Sequence, residues 1–143
     1  MSSGTDNELV EQLFHLNRAE QSYVQRELKQ FGLNILQSRT LHFIARHPGA
    51  IQKELSRYLS KQEATTTNIL KVLEARQLIV RQVPASNERQ KQLYLLPAGQ
   101  ELVQSVHGVF VGLEQRISVP LTATEKDTLV QLLQRLNEQA DLD

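Results

Sequence analysis

The residues between Lys61 and Leu78 that could do chemistry, in KQEATTTNILKVLEARQL, are short hydroxyls and an amide: Thr65, Thr66, Thr67 and Asn68, with Lys71 one turn on. A threonine hydroxyl bonds a base edge or a phosphate, its methyl packs on a thymine methyl, and an asparagine amide pairs bidentately with adenine. Three consecutive β-branched residues are a poor choice for a helix interior, so their presence needs another reason. At 100° per residue they cannot all face one groove. Thr65 and Asn68 share a face with Thr67 beside them, and Thr66 turns inward. A second group, Asn87, Arg89 and Lys91 in SNERQKQ, carries charge suited to phosphate or to the minor-groove potential. The plainer reading of the threonines, as exposed hydroxyls at a helix start, is weighed against the elements around them.

Those elements are mostly helices. Leu9, Leu13, Leu16, Ala19, Tyr23 and Leu28 mark a long amphipathic helix over residues 7–31, closed by Gly32. Asn34 and Gln37 form a capping-box pattern for a second helix, which ends before His47, Pro48 and Gly49. A short third helix covers residues 51–59 with Leu55 and Leu59 inward, and the Ser60/Glu63 pattern predicts the cap of the threonine-bearing helix. Ile79, Val80 and Val83, the loop PASNERQ and the run QLYLL then read as a β-hairpin. Pro97 opens a helix with the stripe Leu102, Val106, Val109 or Phe110, Leu113 and Ile117; Pro120 breaks it. Thr122 and Glu125 cap a last helix carrying Leu129, Leu132, Leu133 and Leu136. Two helices joined by a tight turn and followed at once by a hairpin make a winged helix–turn–helix, whose second helix enters the major groove while the hairpin reaches flanking backbone.

Composition narrows the function. The chain has 143 residues and no cysteine, which removes disulfides, thiolate metal sites and thiol redox chemistry. Net charge is zero, yet residues 39–91 hold ten basic side chains against four acidic ones, and both flanks are acidic. The histidines at 15, 42, 47 and 107 lack a metal-ligand spacing, so neither a metal nor a cofactor is expected. No phosphate loop or nucleophile elbow appears, and the chain reads as a non-enzyme. No apolar run is long enough for a membrane span and no signal peptide is evident, which places the protein in the cytoplasm.

The chain resembles the MarR-type winged-helix regulators. NERQKQLYLLPAG places Asn87, Arg89, Lys91, Leu95 and Gly99 at the family's wing spacing, and residues 47–79 resemble its helix–turn–helix, with Leu55, Leu59, Leu73 and Leu78 at the apolar positions. Asn87 stands where the family usually has Asp, Ile51 where a capping Thr is frequent, Gln77 where a glycine is frequent and Leu96 where a cap Thr is common. The resemblance implies one domain over 1–143, mainly α with a small hairpin wing: a winged helix–turn–helix lobe at 34–96 flanked by dimerisation helices at 7–31 and 98–141. It implies a homodimer, and the three amphipathic helices outside the winged core carry more apolar surface than that core covers. The function expected is a sequence-specific regulator of double-stranded DNA, a repressor on a pseudo-palindromic operator, contacting it through Thr65, Thr67, Asn68, Lys71, Asn87, Arg89 and Lys91. Release by a small aromatic or anionic effector is expected at Tyr23, His42 and Arg46. The competing reading is a winged-helix protein-interaction module, because the threonine-bearing helix is poor in Arg and Lys.

Overall fold

The computed structural model describes residues 6–84 and 90–140. In chain order these form α1 (Glu8–Leu28), a 3-10 turn (Lys29–Phe31), α2 (Ile35–Arg46), α3 (Gln52–Leu59), α4 (Glu63–Ala75), β1 (Ile79–Gln82), β2 (Gln92–Leu95), α5 (Pro97–Ser118) and α6 (Ala123–Glu138). The architecture is mainly α with one antiparallel hairpin, a winged helix–turn–helix core between N- and C-terminal helices. No described helix is long and apolar enough to cross a membrane. Two compact units, Met1–Phe110 and Val111–Asp143, divide within α5.

In the first unit, Leu28, Leu41, Ile44, Leu55, Leu70, Leu73, Ile79 and Leu93 are wholly or almost wholly buried, each burial contributing roughly 1.5–3 kcal/mol. Sequence signals set the helix ends. Gly32 takes φ +64° at the close of the 3-10 turn. Asn34 accepts from Gln37 N at 2.8 Å while Gln37 Oε1 accepts from Asn34 N at 3.0 Å, so the capping box forms in full. At α3 only half a box forms, since Ile51 has no side-chain acceptor and Glu54 alone reaches back to Ile51 N. The Ser60/Glu63 box does not form. Gln62 occupies the N-cap position of α4 without a side-chain capping bond, and Ser60 adopts φ +55°, with Lys61 N bonding Ser56 O and Ser60 N bonding Arg57 O. With no glycine available there, the end of α3 recruits Ser60 for the left-handed position, which removes it from capping the next helix.

The hairpin pairs Ile79 with Leu95 and Arg81 with Leu93. Its inner edge is extended by residues 49–51, where Gly49 N donates to Leu93 O and Leu93 N to Ala50 O, both at 2.8 Å. Gly99 lies against the chain: a Cβ there would collide with the carbonyl oxygen of Leu78, so α5 can start beside the hairpin only without a side chain at that position. In the second unit Thr122 accepts from Glu125 N at 3.1 Å and Glu125 accepts from Thr122 N at 2.9 Å, completing the box that starts α6.

Candidate nucleic-acid interface

The α3–α4 pair explains the threonine run. Thr66 is fully buried; its Oγ1 accepts from Ser56 Oγ at 2.9 Å and donates to Gln62 O at 3.3 Å. Thr67, half-buried, donates to Glu63 O at 2.8 Å and accepts from Gln52 Nε2 at 2.7 Å. Gln52 and Ser56 are one turn apart on α3, so two adjacent threonines bolt the helices together with neutral hydrogen bonds. Thr65, Asn68 and Lys71 are exposed on successive turns, while Ile69, Leu70 and Leu73 enter the core. Two of the three threonines therefore hold the helix, and one faces out.

The end of α4 is secured differently. Leu78 N bonds Leu73 O at 3.0 Å and Gln77 N bonds Glu74 O at 2.9 Å, the two bonds of a Schellman close, with Gln77 at φ +60°. Arg76 donates to Gly32 O at 3.0 Å and Phe31 O at 3.1 Å, tying α4 to the turn after α1. Glu74 pairs with Arg81 of β1 at 2.6 Å. Lys91 is exposed just before β2; Asn87 and Arg89 lie outside the described residues.

A cavity of about 880 Å³ opens beside α2 in the same unit. His42 and Arg46 line it, with Arg39 completing a basic row on the helix and His107 facing them from α5; Val24, Val106 and Phe110 supply apolar wall. Tyr23 is not among the lining residues, and the guanidinium of Arg26 lies 5.6 Å from its ring centre. Arg39 sits 4.9 Å over the ring of Tyr58, which packs against Phe43 at 4.8 Å between ring centres. Partial burial, with repulsion from Arg46, His107, Arg39 and His47 nearby, holds His42 below the ordinary imidazole range.

Residues 31–90 match the MarR family profile. The crystal structure of MarR is 26% identical and superposes with a TM-score of 0.84 over 98% of this chain and 94% of that one. The chain is thus similar to MarR-family regulators, by the family match over residues 31–90 and by the structural likeness along its length. A second MarR-like structure, the S. aureus MepR–DNA complex, is 26% identical with a TM-score of 0.80, covering 94% of this chain and 98% of that one. A Thauera aromatica protein described as a transcriptional regulatory protein for the hcr operon is 28% identical over 99 residues, which is 69% of this chain. The match spans 60% of that relative's length.

In this MarR-like chain, several polar groups lie outside the residues expected from sequence. Gln52 and Ser56 orient α4, and their signal was their one-turn spacing opposite the threonines. Lys53 and Arg57, four apart and exposed on α3, face one side with Lys61 just beyond. They account for part of the basic excess at 39–91. Arg39 was within reach too, because positions 39, 42 and 46 fall on one helical face.

Proposed function

We propose that the protein is a DNA-binding transcriptional regulator, a repressor that acts as a homodimer on a pseudo-palindromic operator. The observation that carries this reading is the split in α4: Thr65, Asn68 and Lys71 exposed on consecutive turns, over a helix whose other face is locked to α3 and buried. Thr65 and Asn68 read base edges, Lys71, Lys53 and Arg57 engage phosphates, and Thr67 contributes its methyl, since its hydroxyl proton is committed to Glu63 O. Asn87, Arg89 and Lys91 form the wing contact. Residues 34–96 serve as the DNA-binding lobe, and 7–31 and 98–141 as dimerisation helices. Exposed apolar residues on α1, among them Leu9 at 60% and Phe14 at 64%, and the exposed leucines of α6 support the dimer, because stripes of this kind are covered in working proteins. A small aromatic or anionic effector fits the basic, partly apolar wall of the α2 cavity through His42, Arg46 and Arg39, and would lower DNA affinity by linkage.

The test begins with duplexes selected from genomic DNA, whose affinity is measured across a salt series against scrambled controls. Thr65→Ala and Asn68→Ala are each expected to cost about 1–3 kcal/mol on the selected duplex and little on the scrambled one. Equal losses on both would show that α4 does not read sequence. Absence of a steep salt dependence would favour a protein-interaction module, the reading that α4's poverty in Arg and Lys supports.

A further inference from the structure

We propose that the Glu74–Arg81 ion pair is the positioning device of the hairpin, setting the angle between β1–β2 and α4 so that both reach one duplex. The proposal rests on the DNA-binding reading above. The inner end of the hairpin is held by backbone bonds and burial: Gly49 N donates to Leu93 O, Leu93 N donates to Ala50 O, and Leu78, Ile79 and Leu93 lie in the core. Burial falls away along β1 from Ile79 to the exposed Gln82, so packing fixes the inner end of the strand more firmly than the part beyond it. Glu74 of α4 and Arg81 of β1 meet at 2.6 Å in that less buried part, and so tie the strand to the helix beyond its packed end.

The chemistry of the pair favours this role over a surface accident. Glu74 is in the last turn of α4, where the negative end of the helix dipole disfavours a carboxylate, and that turn carries no basic side chain of its own. Arg81 is the cation that makes the position tolerable. Its side chain is 19% exposed and that of Glu74 32%, so the pair is shielded from salt more than an open surface bridge. Arg81 Nε is buried without a hydrogen-bond partner, leaving Glu74 as the one ion pair found for this guanidinium among the described residues. Cutting the pair therefore leaves a shielded cation that must move to find water, carrying the strand with it.

The experiment compares wild type, Glu74→Gln, Arg81→Gln and the exchange Glu74→Arg/Arg81→Glu. Residual dipolar couplings of the hairpin amides, fitted in the frame of α4, report the angle without DNA. Wild type is expected to fit one frame; each single variant should show hairpin couplings scaled down by motion, and the exchange should restore them. On DNA, the single variants should bind about three- to tenfold more weakly on selected and scrambled duplexes alike, with affinity recovered in the exchange. Undiminished couplings in both single variants overturn the proposal. So does an affinity loss that tracks thermal stability and is not recovered by the exchange. A wild type without salt-dependent duplex binding overturns the DNA reading instead, and the couplings then decide the positioning role alone.

Discussion

The α3–α4 junction and the α2 wall of the cavity are built from opposite materials. The junction is closed by neutral hydrogen bonds, Ser56 to Thr66 and Gln52 to Thr67, in an apolar setting. The cavity wall gathers Arg39, His42 and Arg46 from one helix and His107 from another, and His42 is held toward its neutral form by partial burial and by that company. Neutral bonds, one buried and one partly buried, carry no charge for salt or pH to act on, which suits a surface whose geometry must not drift. Arg39 and Arg46 on one helical face beside open volume make the wall basic, and that is the feature that suits the anionic effector proposed above. One region is closed by neutral bonds and the other gathers charge beside open volume.

Breaking the junction should have the largest effect. Thr66→Val keeps the shape and deletes the buried hydroxyl, so Ser56 loses its acceptor and stability should fall by about 1–3 kcal/mol in chemical denaturation. A loss below about 0.5 kcal/mol would show that packing alone holds α3 to α4. Gln52→Ala is milder, since the bond is only partly buried; about 0.5–1.5 kcal/mol is expected, with a specific loss on selected duplexes because Thr67 and the first turns of α4 lose their brace. If selected and scrambled duplexes respond alike to Gln52→Ala, the brace does not serve base reading.

The smallest effect concerns the cavity and sharpens the contrast through pH. The folded-state pKa of His42 lies below its ordinary 6.5, so the unfolded chain binds more protons between the two values. Stability should therefore decline as pH falls through 6.5 and level off below the folded-state value, and His42→Gln should remove that part of the slope. Unfolding at several pH values checks it. An unchanged profile in the variant would assign the slope elsewhere. An anion bound beside His42 should oppose the trend, since it favours the charged imidazole.

Local signals in the sequence were reliable where one segment decided the outcome. Asn34/Gln37 and Thr122/Glu125 close their boxes, Gly32 and Pro97 end and start helices, and helical periodicity turned Thr66 inward. Ser60/Glu63 failed although its pattern was as good, because the preceding helix claims Ser60 for a left-handed close, a demand that residues 60–63 do not display. What depends on distant segments was harder to read. Tyr58 joins the cavity from α3 and His107 from α5, and only the packed chain brings them to α2. The Glu74–Arg81 pair crosses from a helix end to a strand, where neither the 3.6-residue nor the 2-residue period applies.

Gln77 carries a consequence for how this sequence can vary. Its φ of +60° costs roughly 1 kcal/mol relative to glycine, and the Schellman bonds around it are nonetheless complete. Gln77→Gly relieves the strain at a position apart from the exposed turn of Thr65 and Asn68, giving a background on which otherwise disruptive substitutions in α4 can be tolerated and their effects on recognition separated from effects on folding.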